Sequence, residues 1–387
     1  MRPPAATPPT APAMPDPGLG LYLHFPWCVR KCPYCDFNSH PVRGSLDEDG
    51  YVGALLRDLG DSLADVPPGT IATVFCGGGT PSLFSADAFA RLFEHLAPWL
   101  RSDAEITLEA NPGTVEHHDF AACRRAGINR LSLGAQSFSG SQLARLGRIH
   151  AADDTARAVE RARAGGFEDI NLDIMYALPE QTVDAALADL ERAVALAPTH
   201  LSWYQLTLEP KTEFARRPPP LPDDDVVADM EEAGRDLLAG AGYQRYEVSA
   251  YARPGRRCRH NLNYWTFGDY LGAGAGAHGK RTRRGPGGVR IERTRKASQP
   301  RLYLADPAAT ERVAVGADEV VFEFMMNALR CVDGVDWPTF EARTGLRRED
   351  VGVWSELAAA GLVREDRVAA TDEGLRFLDG VLQRFLR

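Results

Sequence analysis

Six short apolar runs, alternating with amphipathic stretches between residue 20 and about residue 210, restrict this chain more than any other feature. The runs are Leu21–Phe25, Thr73–Cys76, Glu105–Glu109, Arg130–Ala135, Asp169–Ile174 and His200–Leu208, with helical patterns near 50–64, 85–99, 116–126, 152–165 and 183–197. Such alternation builds right-handed βαβ crossovers on a parallel sheet. Six units curl into an open barrel with helices outside, so the expected α/β fold is a partial (β/α)6 barrel. Polar or Gly-rich endings gather at the C-terminal ends of the runs: Cys28, Gly77-Gly78-Gly79, Glu109, Gln136 and Asp173. That edge carries the active site in parallel α/β folds.

The remaining organisation follows from length and punctuation. At 387 residues the chain is long enough for one large domain with appendages. Residues 1–18, rich in Pro and Ala without an apolar core region, read as a disordered tail rather than a secretory signal. The barrel is assigned to 19–240, its last helix near 224–240, and Tyr243–Tyr251 reads as a strand. Residues 241–310 read as a linking region, and 311–387 as a mostly helical domain whose hairpin near Leu362–Thr371 resembles a winged helix. A net charge of −9 argues against a nucleic-acid binder. No apolar run approaches the ~18 residues that span a bilayer. With no export signal the expectation is a cytoplasmic protein, whose clustered cysteines point to metal or redox chemistry rather than disulfides.

Cys28-x-x-x-Cys32-x-x-Cys35 puts three thiols on one loop directly after the first run. Ordinary ferredoxin sites add a fourth Cys, but here Phe37 stands nearby and Cys76, Cys123, Cys258 and Cys331 are scattered singly. The reading is a [4Fe-4S] cluster with one iron left for S-adenosylmethionine, whose amino and carboxylate groups chelate it. A zinc ion completed by His24 or His40 is the alternative, although no second Cys pair exists.

CxxxCxxC after the first strand of a partial barrel resembles the radical S-adenosylmethionine superfamily. The string from Tyr22 to His40 resembles the branch that holds oxygen-independent coproporphyrinogen III oxidases and the HemW heme chaperones. The resemblance implies S-adenosylmethionine contacts from Tyr22, from the backbone of Tyr34, from Gly78, Gly79 and Thr80, and from Glu109, Gln136, Arg148 and Asp173. The residue types suit that role. Carboxylates accept from ribose hydroxyls or a cationic amine, Arg pairs with a carboxylate, and glycine backbone admits close approach. A plain turn at Gly77–Gly79 and a core ion pair of Glu109 or Asp173 with Arg130 or Arg148 are the alternatives.

Two departures count against the oxidase. Those enzymes carry a further Cys two positions past the third ligand, where this chain has Phe37, and a longer N-terminal extension than its Pro/Ala tail. In favour of the chaperone, His260-Asn261-Leu262-Asn263-Tyr264-Trp265 fits that branch's HNxxYW pattern. An imidazole can ligate heme iron, with Cys258 as a second candidate, while Tyr264 and Trp265 offer flat apolar surface. Ordinary core burial of the same residues is the alternative. Gly272–Gly279 suggests close backbone approach, and Lys280 to Lys296 holds eight Lys/Arg against one Glu. That run reads as a solvated loop, or as one that meets heme propionates or anionic lipid. The resulting expectation is a heme chaperone serving an acceptor hemoprotein such as a membrane-associated respiratory enzyme. Peripheral membrane contact and a homodimer are further expectations, and turnover of S-adenosylmethionine stays open.

Overall fold

The computed structural model describes residues 18–117 and 119–386, so the expected N-terminal tail, Gly18 apart, lies outside the described residues. All six expected strands form, as Leu19–Phe25, Ile71–Gly78, Leu100–Ala110, Arg130–Gln136, Asp169–Tyr176 and His200–Gln205. They pair in that order and are parallel throughout. Helices Glu48–Ser62, Ala86–Leu96, Phe120–Arg125, Asp154–Ala164 and Val183–Ala195 occupy the crossovers. Asp47, Ser85, Asp119 and Thr182 start four of them, each accepting from a backbone N–H three residues on. Those side chains satisfy amides that have no partner within the helix.

Alternation along the strands divides the barrel into an apolar outside and a polar inside. Leu21, Leu23, Phe25, Val74, Leu108, Leu131, Leu172 and Leu201 are buried in one core beneath the helices. The intervening residues turn inward by the two-residue period of a strand. They include Thr73, Glu109, Arg130, Ser132, Asn171, Asp173 and His200. The interior therefore supplies hydrogen bonds and charges rather than packing alone.

The sheet runs past the six strands to a total of twelve among the described residues and does not close. On one side Tyr270–Ala273 joins the first strand in parallel, followed by His278–Gly285, Gly288–Arg295 and Glu311–Ala314. On the other side the expected single strand over Tyr243–Tyr251 is two, Gln244–Glu247 and Ala250–Ala252, antiparallel to each other. The turn between them is held by Arg245, whose Nη2 donates to the Val248 carbonyl at 2.9 Å.

The expected solvated basic loop over 280–296 is instead a β-hairpin of the main sheet, with its turn at Gly285–Gly288. Its cations are largely spoken for within the fold. Lys280 meets Asp269 at 2.9 Å and Lys296 meets Asp58 at 2.6 Å, both lysines buried. Arg281 and Arg283 reach Asp65, Arg293 pairs with Glu323, and Arg295 with Glu311. Arg283, Arg284, Arg290 and Arg295 still reach the surface, so the run is a partly paired face of the sheet rather than a free loop.

The C-terminal helices from Ala317–Ala328 to Leu378–Gln383 surround a second apolar core containing Phe324, Phe340 and Trp354. Phe267 and Ile291 belong to the same core, which joins this unit to the hairpin. The turn expected near Leu362–Thr371 appears as one antiparallel bridge, Val363 to Ala370. Among the described residues no helix is long and apolar enough to cross a membrane.

Candidate functional site

The cysteine loop leaves the first strand at Phe25 and is pinched shut where Trp27–Cys28 pairs in parallel with His40–Pro41. Lys31 Nζ donates to the carbonyls of Phe37 and Ser39 at 2.9 and 3.2 Å, drawing the loop's two arms together. Asn38 Nδ2 ties it to the far chain, donating to the carbonyls of Ala275 and Ser298 at 2.9 and 2.8 Å. His24 bridges from below, its Nε2–H donating to the Asn38 carbonyl at 2.8 Å while Nδ1 accepts from the Tyr22 hydroxyl at 3.0 Å. His24 is thus engaged at both nitrogens and is no zinc ligand here.

Beneath the loop the glycine turn fits closely. Gly79 N and Thr80 N donate to the carbonyls of Phe25 and Trp27 at 2.7 Å each. A Cβ on Gly79 would sit 2.4 Å from the Trp27 oxygen, and one on Gly78, at φ +114°, would meet the His24 ring at 2.5 Å. Only glycine permits that approach. The turn's alternative role as a mere connection is therefore not the whole account, since it seats the cysteine loop.

Cys28, Cys32 and Cys35 face one cavity of about 380 Å³, together with Tyr34, Gly78, Gly79, Thr80, Glu109, Gln136, Arg148 and Asp173. A cavity of that size matches the usual range for small-molecule sites. Tyr22 does not line it; its ring lies beneath, against Phe75 and His24. Burial pushes the Cys28 and Cys35 thiols above their ordinary range, with hydroxyls of Thr80 and Ser39 pulling the other way. Among the described residues no three His, Cys, Asp or Glu side chains converge to hold a single metal ion. Thiols spread along one wall fit a cluster, in which each thiolate takes its own iron, better than a tetrahedral zinc.

Opposite the thiols stands an unbalanced set of charges. Burial and then the neighbouring Asp173 push the Glu109 carboxyl up to about 8, and it accepts from Gly78 N at 3.1 Å. Burial raises Asp173 as well, against hydrogen bonds from Asn171, Ser202 and Ser132. Arg148 donates to the Gly134 carbonyl at 2.6 Å and towards Cys32 Sγ at 3.9 Å, while its buried Nε has no partner. The expected ion pair of either carboxylate with Arg130 or Arg148 does not form. Two carboxylates without a cation and a guanidinium with an unused N–H suit a ligand bearing both an ammonium and a carboxylate. S-adenosylmethionine has that pair, and the residues present fit it.

Gln136 takes φ +65° at the end of its strand, where pairing with the next strand slips between Leu133 and Gln136. Its Oε1 accepts from the Tyr204 hydroxyl at 2.7 Å. A non-glycine residue in the left-handed region costs energy and is commonly held at a functional site. Tyr204, Met175 and Asn111 also line the cavity and were missed from sequence. The rule that located Gln136 and Asp173, polar residues at the C-terminal ends of strands, also reaches Tyr204.

The residues expected to bind heme lie elsewhere. His260, Tyr264 and Trp265 form the helix Arg259–Trp265 at the opposite, N-terminal end of the barrel. His260 is fully buried, with Nδ1 2.8 Å from Thr73 Oγ1, Nε2 2.9 Å from the Tyr264 hydroxyl, and its ring stacked on Phe75. Burial and then Arg130 push its pKa down to about 3. Cys258 is equally enclosed, and burial raises its thiol to about 12. In this structure both ring nitrogens of His260 are engaged within the fold and its ring is enclosed.

Comparison with known proteins points the same way as the cavity. The Radical SAM superfamily pattern matches residues 22–193, and the HemN C-terminal domain pattern matches 315–377. The chain is 48% identical over 375 residues to heme chaperone HemW of Escherichia coli, covering 96% of this chain and 98% of that one. It is 46% identical over 379 residues to HemW of Haemophilus influenzae, with coverage of 96% and 98%. It is also 36% identical over 395 residues to the mouse mitochondrial radical S-adenosyl methionine domain-containing protein 1, with coverage of 97% and 88%. Among solved structures, coproporphyrinogen III oxidase (HemN) of Escherichia coli shares the fold, with a TM-score of 0.77, 24% identity and coverage of 95% and 90%.

Proposed function

The chain belongs to the heme chaperone HemW family on the radical SAM scaffold, and from that premise we propose that it carries heme to an acceptor hemoprotein. The observation that carries the reading is likeness to HemW across the barrel and the C-terminal unit alike, rather than across the cofactor scaffold alone. The fold is shared with an oxidase and does not separate the two functions.

Cys28, Cys32 and Cys35 hold the [4Fe-4S] cluster. When bound, it supplies one electron to the sulfonium of S-adenosylmethionine. Glu109 and Asp173 receive the ligand's ammonium and ribose, and Arg148 Nε–H its carboxylate. Gly78, Gly79 and Thr80 let the ligand's methionine end approach the backbone, and Gln136, oriented by Tyr204, faces the same cavity. Tyr34 lines the wall between two thiols, while Tyr22 acts from beneath through His24. Phe37, 58% exposed at the cavity mouth, closes no site of its own. The acceptor is a hemoprotein, with a membrane-associated respiratory enzyme as the finer reading.

Anaerobic titration tests the assignment. Cluster-loaded protein should take up near one heme per chain with a defined Soret band and restore activity to a heme-depleted acceptor. The same protein with S-adenosylmethionine should leave coproporphyrinogen III unchanged by chromatography. Steady oxidative decarboxylation, even well below ~1 per second, would make it an oxidase instead.

A further inference from the structure

The HNxxYW segment is too firmly built into the fold to be a ligand-binding loop. Its helix, Arg259–Trp265, crosses the N-terminal mouth of the barrel and is fixed on every side. The Arg259 and His260 amides donate to Glu105 Oε2 and Oε1, both at 3.0 Å. Asn263 Nδ2 donates to the Asp269 carbonyl at 2.8 Å, which also accepts from Gly20 N at the start of the first strand. The Tyr264 ring meets Tyr270 edge-on at 4.6 Å. Arg330, from the C-terminal unit, lies 4.5 Å over the Trp265 ring and pairs with Glu247.

From Cys258, the residue that caps the start of this helix, a single chain of hydrogen bonds crosses the barrel interior to the cofactor cavity. Cys258 N–H points to the Tyr246 hydroxyl oxygen at 3.4 Å, and that hydroxyl donates to His200 Nε2 at 2.8 Å. His200 Nδ1–H donates to Asn171 Oδ1 at 2.7 Å, and Asn171 Nδ2 donates to Asp173 Oδ1 at 2.8 Å. Since the Asp173 carboxylate accepts from the Asn171 amide nitrogen, the amide orientation and with it the His200 tautomer follow from the network. Every donor along the column points towards Asp173. Aligned donors polarise one another, and the column ends on a carboxylate that accepts.

We propose that the HNxxYW helix is a floor plug that positions Asp173 for S-adenosylmethionine through the Tyr246–His200–Asn171 column, and that heme is ligated elsewhere on the chain. This rests on the functional reading above. Tyr246 and His200 are positioning residues, and His260 holds the plug through Thr73 and Tyr264; none of the three touches cofactor or cargo. The column gives the motif a use at the cavity although the two lie at opposite ends of the barrel.

Two conservative variants test it. His260→Gln keeps a hydrogen-bonding side chain at the plug, and Tyr246→Phe removes one hydroxyl from the column with little change in volume. In cluster-free protein, His260→Gln should retain the heme stoichiometry and the Soret maximum of the wild type. In cluster-loaded protein, Tyr246→Phe should weaken S-adenosylmethionine binding about 5-fold, the worth of one net hydrogen bond, and alter the ligand-induced change in the reduced cluster's EPR signal. A shifted or absent Soret band in folded His260→Gln protein would overturn the proposal, as would unchanged S-adenosylmethionine affinity in Tyr246→Phe. Failure of the wild-type chain to bind heme would instead defeat the functional reading, leaving the plug to be decided by S-adenosylmethionine affinity.

Discussion

At the C-terminal mouth of the barrel, Glu109 receives one backbone N–H, and Arg148 keeps an unpartnered buried Nε. At the N-terminal mouth, Glu105 receives two backbone N–H groups and the Cys258 thiol, and both ring nitrogens of His260 are engaged. The same residue types, carboxylate, guanidinium and imidazole, thus serve opposite ends. One end leaves two carboxylates short of donors; the other answers its carboxylate and imidazole with backbone and side chains, although Asn263 Oδ1, Trp265 Nε1 and Arg130 Nε there stay unpartnered. Chemical richness in a sequence motif does not distinguish these cases. What distinguishes them is whether the fold itself supplies the partners.

The sharpest way to break this comparison is at the thiols. Replacing Cys28, Cys32 or Cys35 with Ala should abolish the about four irons and the visible absorption of reconstituted protein, whereas Cys123→Ala should keep both. Iron analysis decides it. A smaller effect contrasts charges at the two ends. Arg130 is buried near Glu105 and Asp169, so Arg130→Met should cost about 1–3 kcal/mol, since Asp169 keeps Arg256 and Glu105 keeps its backbone donors. Glu109→Gln in the ligand-free chain should instead stabilise by about 1–2 kcal/mol. Urea unfolding of both reads the contrast, and equal destabilisation would erase it.

Titration sharpens the contrast further. Burial and Asp173 push Glu109 up to about 8, so near pH 7 it carries a proton that a cationic ligand must displace. The affinity for S-adenosylmethionine should therefore rise with pH, by at most about tenfold per unit, and level off above about 8. Glu109→Gln should flatten that dependence, as read by equilibrium dialysis. The smallest effect belongs to the plug. Trp265→Phe keeps an aromatic face beneath Arg330, so stability should fall by less than about 1 kcal/mol, with heme uptake unchanged.

Much of the barrel was legible because its signals are local. Leu21, Leu23 and Phe25 alternate with Tyr22 and His24, and such a period reports one apolar and one polar face without reference to the rest of the chain. The cysteine loop is local too, with three thiols inside eight residues. The plug was not legible, because what closes it lies far away: Thr73 is 187 residues from His260, and Glu105 is 155. Seven helical residues do not reveal which body covers them. The basic run misled for the same reason. Asp58 pairs with Lys296, and Asp65 is shared by Arg281 and Arg283, from more than two hundred residues upstream, so much of the run's charge is met by residues the run itself does not reveal.

The two hydrogen bonds from Asn38 to Ala275 and Ser298 also set a timetable for the protein's birth. The loop's thiols emerge early, but the groups that clamp it lie 237 and 260 residues later. The first strand likewise waits for its outer neighbour, Tyr270–Ala273. At synthesis rates of about 5–20 residues per second, the interval to Ser298 is on the order of 10–50 s. Throughout it the loop has only its near closures, the Lys31 bonds, the pairing of Trp27–Cys28 with His40–Pro41 and the seat at Gly79 and Thr80. A cluster gained in that interval would sit on a loop still missing its outer tie, and the cell's protection of nascent thiols becomes part of making this protein.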